Sequence, residues 1–201
     1  MLDIVATAIA RCRLQVLSIF LTYLLSSGVG IFMVHTGNLF ALGERDRIVA
    51  TAIASEPAAL SERAGHHLTA ALQDFAANLF RAAVPQTLLG LGVFPPYVSV
   101  AYQGWVGGIV SVDRYHRSRL IQPRAAAYYL TVLLLQFVPF SLVIGAGVRA
   151  GLDLYSHNAD NGWNLRKYRV PPSVLNTLLG AYMLATPLFL LASAVEYLWS
   201  P

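Results

Sequence analysis

Apolar residues arrive in runs long enough to measure against a bilayer. The first, Leu14 to Val34 (LQVLSIFLTYLLSSGVGIFMV), covers a hydrocarbon core of about 30 Å at 1.5 Å per residue. It predicts a transmembrane helix rather than a cleaved signal peptide, because it continues unbroken past the small residues Ser26, Ser27 and Gly28. Ala125 to Val148 and Val174 to Trp199 predict two further spans, the last kinked at Pro187.

Between them lies a harder tract, Leu79 to Val112, apolar but interrupted by Arg81, Pro85, Pro95 and Pro96. As one straight helix it would be about 50 Å long, well beyond a bilayer core. Proline removes a backbone donor and restricts the residue before it, so the break falls at Phe94 to Pro96. The pattern predicts a tight hairpin of two short spans, Ala82 to Phe94 and Tyr97 to Val112, in preference to one kinked crossing. Five spans are then expected in an all-α, polytopic helical membrane protein.

Charge returns between His35 and Asp74, the one substantial extramembrane segment. Ser55 before EPAAL reads as an N-cap with Pro57 in the first turn, and Ser61 reads as a second start. Leu68, Leu72, Phe75 and Leu79 share one helical face, which predicts a surface helix running into the next span. The chain therefore divides into residues 1–34, a tail and first span; 35–78, an amphipathic extramembrane segment; and 79–201, a four-span bundle.

Composition agrees with a lipid solvent. Hydrophobic residues make up 56% and charged residues 12%, with a mean hydropathy of +0.57, where soluble domains carry about a quarter charged residues. The net charge of +4 is scattered over short connections, so anionic headgroups explain it better than nucleic acid. Lys167 is the single lysine among 14 basic residues, a bias that together with abundant alanine points to a GC-rich bacterial genome and the bacterial cytoplasmic membrane. Basic residues number five on the N-terminal side of the spans (Arg11, Arg13, Arg166, Lys167, Arg169) against seven on the other, which leaves orientation open. The single Cys12 excludes an internal disulfide.

Candidate chemistry is sparse. Adjacent histidines, His66 and His67, project about 100° apart on a helix, so with Glu62 they make a surface pair more readily than a metal site. Asp153, His157, Asp160 and Asn161 read as a solvated polar link. No nucleophile and base pairing and no cofactor motif is present, so no catalytic, cofactor-binding or metal-ligating residue is expected. Polar residues within the spans are more informative, because an unpaired amide in hydrocarbon costs kilocalories. Asn78, Arg81, Gln86, Gln103, Gln136, Arg149, Asn176 and Glu196 form this set. Gly104 with Gly108, and Gly147 with Gly151, form GxxxG pairs that let another helix approach closely.

The order of several short strings resembles the stage II sporulation protein M family of integral membrane proteins. These are NLFRA at Asn78 to Ala82, YQGWVGG at Tyr102 to Gly108, IGAGVRAG at Ile144 to Gly151, and the ending AVEYLWSP, Ala194 to Pro201. The likeness covers about residues 75 to 201. It departs from the family where TVLLLQFVP carries Gln136 in place of a glutamate and lacks a histidine, and where Gln103 replaces an asparagine. The resemblance implies a non-enzymatic component that assembles with other envelope proteins.

Together these features predict a scaffold or accessory subunit of a cell-envelope membrane complex, held by the glycine faces and the His35 to Asp74 segment, with Asn78, Gln103, Gln136 and Glu196 as helix-packing or partner-binding residues. Its expected partners are the lipid bilayer, other membrane or envelope proteins and further copies of itself, with no nucleic acid. The alternative is a transporter or channel component with a polar site at the broken helices. A polar cavity reaching Gln103 or Gln136 separates the two.

Overall fold

The computed structural model describes residues 2–159 and 170–199, and the architecture is all-α. Three helices are long and apolar enough to cross a membrane: α1 (Leu2–His35), α7 (Pro123–Ala159) and α8 (Pro172–Leu198). They carry the three long apolar runs: α1 and α7 extend beyond theirs at both ends, and α8 starts before Val174 and stops at Leu198, one residue short of Trp199. Two fewer spans qualify than the five expected, and the difference lies in the broken tract. Its second arm, α6 (Pro95–Ile109), has only 15 residues, about 22 Å of helix against a core of about 30 Å.

The first arm is a rod from His67 to Gly90: α4 (His67–Ala76), a π-helical segment (Ala77–Ala83) and α5 (Val84–Gly90). Pro85 accounts for the π segment, because its ring clashes with the carbonyl four residues back and it has no N–H to donate. The wider turn absorbs this, with the Val84 N–H reaching back to the Leu79 carbonyl. The expected division between residues 78 and 79 thus falls inside one continuous rod. Leu68 and Leu72 point outward while Leu79 enters the core, so the four residues do not share a buried face.

At the break, Val93 adopts φ +67° and Pro95 opens α6 at its first turn. The two arms then run antiparallel, tied by the Gln86 amide donating to Ser99 at 2.5 Å. The rod lies parallel to α7, with Gly147 against Thr87 and Gly151 against Leu91. In turn α6 lies parallel to α1, where Ser18 and Tyr97 hydroxyls meet at 2.7 Å and Ser27 donates to the Gly104 carbonyl at 2.9 Å. A hairpin therefore enters from the face where α1 ends and turns near the opposite face, beside Gly151 and Ser18.

That opposite face is locked by charge. Asp153 accepts from Arg11 at 2.9 Å and Arg149 at 2.7 Å, joining α1 to α7. The core lies between, with Ile19, Val100, Phe137, Val143, Ile144 and Phe189 all buried.

The charged segment is more ordered than its composition implies. A helix not expected from sequence, α2 (Leu39–Ser55), starts at Asn38, whose side chain accepts from the Ala41 N–H at 3.0 Å. Arg45 on α2 is only 3% exposed; it donates to Asp46 at 2.8 Å and to the Val112 carbonyl at 3.3 Å, pinning α2 over the end of α6. Caps differ from expectation as well. Glu56, not Ser55, precedes α3 (Pro57–Arg63), since the Ser55 hydroxyl bonds back to Thr51 within α2. Ser61 starts no helix: it donates to Gln73 at 2.8 Å, and α4 begins at His67 after Gly65 turns the chain at φ +79°.

Candidate functional site

A cavity of about 730 Å³ opens between α6, α7, α8 and the π segment, with Tyr23 of α1 at its base. It exists because α6 and α7 are neighbours that hardly touch. Small residues keep them apart from filling the gap: Ala82, Gly107 and Ala125 all line it. Bridging bonds hold its walls instead. The Tyr129 hydroxyl donates to the Gly107 carbonyl, and the Tyr128 hydroxyl donates to the Glu196 carbonyl at 2.9 Å.

Four of the polar side chains flagged from sequence line this one space: Asn78, Gln103, Gln136 and Glu196. They come from the π segment, α6, α7 and α8, and two hydrogen-bonded sets organise them. The Gln136 amide donates to the Glu196 carboxylate. Behind the wall, Asp74 accepts from Asn78 at 2.8 Å and from the Ser193 hydroxyl at 2.7 Å. Neither Asp74 nor Glu196 pairs with Arg, Lys or His among the described residues. The acceptors thus face neutral donors, with no cationic side chain beside either carboxyl among the described residues.

The rim is built by the connection between α6 and α7. Asp113 accepts from the backbone N–H groups of Arg117 at 2.9 Å and Tyr115 at 2.8 Å, and these bonds, the Arg117 one first, hold its carboxyl below the usual carboxylate range. The Arg119 N–H then bonds the Ser111 carbonyl at 2.9 Å, and the exposed Arg119 side chain reaches the cavity mouth. Nearby, Asp46 lies below the usual range, first through the Arg45 hydrogen bond and then through His116, which meets it at 3.0 Å.

Other flagged residues lie elsewhere. Gly104 and Gly108 pack on α1, and Gly147 and Gly151 pack on the hairpin, so these faces are consumed within the chain. A Cβ on Gly90 would fall 2.8 Å from the Gly147 carbonyl carbon, so two glycines share one point of backbone contact. Arg149 belongs to the charge lock and Gln86 to the hairpin. Arg81 and Asn176 are exposed, as are His66 and His67. Of the polar link, Asp153 is in the charge lock and His157 lies on α7, while Asp160 and Asn161 lie outside the described residues. Among the described residues, no three His, Cys, Asp or Glu side chains converge as a metal site requires.

Sequence reasoning missed Asp74 as part of the site, although it stands four residues before Asn78, the spacing that puts both on one helical face. It also missed the aromatic wall. The signal was present: Ala125, Tyr128, Tyr129, Val132, Leu133, Gln136, Phe137 and Phe140 line the cavity at helical spacing along α7.

No protein-family model, curated protein or solved structure matches the chain. The functional conclusion therefore rests on the site.

Proposed function

We propose that this chain is a non-enzymatic, multi-pass protein of the bacterial cytoplasmic membrane, a transporter or channel component whose solute site is the cavity at the broken helices. One observation carries the proposal: side chains that are costly to bury in lipid, from four separate elements, converge on one open space rather than being scattered over separate packed interfaces. Its volume lies within the roughly 300–1,000 Å³ of small-molecule sites. In this reading the hairpin supplies a fourth and fifth crossing, and its turn beside Gly151 and Ser18 supports that depth.

A role as scaffold or accessory subunit within a complex of envelope proteins is supported by a different feature. Leu39 and Phe40 on α2 and Leu68 and Leu72 on α4 are exposed, where a bilayer surface or partner would cover them. The glycine pairs lend it nothing, being occupied internally. Kinship with the stage II sporulation protein M family belongs to the same proposal, since the string that suggests it carries Glu196.

The test is sided thiol labelling. Cys12 is 1% exposed, so Cys12→Ala gives a silent background for Val106→Cys on the cavity wall. In sealed vesicles a membrane-impermeant maleimide should label it from the face that carries residues 35–78. Labelling only after denaturation would show a closed, dry interior and leave the scaffold role as the better reading.

A further inference from the structure

We infer that the cavity selects a monovalent organic cation bearing apolar groups, with Glu196 as its charge partner. This rests on the cavity being a ligand site, and adds the class of ligand.

Charge decides first. The lining holds one carboxylate, Glu196, and one cation, Arg119, and they are not equivalent. Arg119 is exposed at the mouth, where water and salt screen it. Glu196 sits in the interior and is met by a neutral donor, the Gln136 amide, rather than by a cation. Behind the same wall the Asp74 carboxyl is likewise met by neutral donors, Asn78 and Ser193. A cation seated here gives the Glu196 carboxyl the counter-charge that no Arg, Lys or His side chain supplies among the described residues, whereas an anion would find only Arg119 at the mouth.

The walls decide second. Tyr23, Tyr102, Tyr128, Tyr129, Phe137 and Phe140 surround the space. Aromatic faces attract a cation most strongly where water is excluded, and also bury its hydrocarbon. A small inorganic ion has no use for such walls. It prefers a compact cage of oxygen ligands, and no such cluster of three acidic or histidine side chains exists among the described residues. A neutral lipid chain would match the aromatics but would leave Glu196 desolvated with one donor. Only an apolar cation satisfies both the carboxylate and the rings.

The mouth and floor fit the same occupant. Depth runs from Arg119 and Ala125 at the rim to Tyr23 and Phe140 below, with Glu196 and Gln136 between. A ligand therefore places its charge midway and its apolar groups beneath.

Equilibrium dialysis of the full chain in uncharged detergent micelles, corrected with empty micelles, tests this using three isosteric probes. They are tetraphenylphosphonium (cation), tetraphenylsilane (neutral) and tetraphenylborate (anion). The cation should bind at least about tenfold more tightly than the neutral probe. Glu196→Gln should erase that preference, and Glu196→Asp should keep it. Equal binding of cation and neutral probe overturns the charge selection and leaves the cavity a ligand site. Preference for the anion overturns it in favour of Arg119. Binding of none of the three overturns both this inference and the ligand-site reading. Should Glu196→Gln not fold, the ranking of the three probes on the unmodified chain still decides.

Discussion

Replacing Gly108 by alanine tests the tightest helix contact in the bundle. In a free helix the change would stabilise, since glycine costs roughly 0.5–1 kcal/mol relative to alanine. Here the added Cβ would collide with the Ser27 carbonyl and lie 2.9 Å from both Gly30 Cα and Ile31 N, all backbone atoms of α1. Optimal carbon contacts are about 3.5–4.0 Å, so α1 and α6 must separate by about 1 Å. Overpacking of this kind costs about 1–3 kcal/mol, and backbone cannot swing aside as a side chain can. Separation also stretches the bond from Ser27 to the Gly104 carbonyl, worth about 1 kcal/mol. After the helix gain is subtracted, the net expectation is destabilisation of about 1–3 kcal/mol. Reversible unfolding in mixed micelles of rising dodecyl sulfate content, followed by circular dichroism, measures it. Gly43→Ala is the control: nothing lies within 4 Å of its added Cβ, so it should stabilise α2 by up to about 1 kcal/mol. Equal stabilisation by both substitutions would refute backbone contact between α1 and α6.

Arg45→Ala should release α2, because it removes a buried donor to the Val112 carbonyl; protease cleavage in residues 36–55 should rise, with about 1–2 kcal/mol of stability lost. Asp153→Asn leaves two arginines facing each other. Both guanidinium groups are one-third exposed, so the loss should be about 1–2 kcal/mol, below that of a fully buried pair, and reduced further by salt. The Asp46 carboxyl lies below its ordinary value, so its contribution is complete above about pH 3.9 and fades as pH falls through the lowered value. Energy transfer between dyes on α2 and on the loop near Tyr115 should therefore hold from neutral pH to about 4 and decline only below it.

How far the fold could be read in advance depended on how local its causes are. Long apolar runs are local, and they reappear inside α1, α7 and α8. Pro95 and Pro96 act on their own backbone, so the break appears where they stand. By contrast, α2 depends on Arg45 finding a carbonyl 67 residues away, and its run of Glu44 to Arg47 reads as solvated until that contact is seen. Ser55 and Ser61 have the chemistry of caps but spend their hydroxyls on Thr51 and Gln73. The site divides in the same way. Burial cost alone marked Asn78, Gln103, Gln136 and Glu196, whereas their convergence needed the rotation and pairing of four elements. Gln136 and Glu196 stand 60 residues apart, and no periodicity links them. The glycine pairs show the reverse: their close-packing chemistry was legible, but that their partners are α1 and the hairpin of the same chain was not.

Water access to the cavity wall is the most direct measurement. A nitroxide attached through Ala82→Cys in the Cys12→Ala background reports collisions with a water-soluble nickel chelate and with oxygen, which concentrates in lipid. Ala82 lines the cavity, while Leu134 stands on the outer side of α7 as an exposed apolar reference. A cavity open to water predicts that nickel exceeds oxygen at Ala82 and that the order reverses at Leu134. An oxygen-dominated profile at both positions would contradict it.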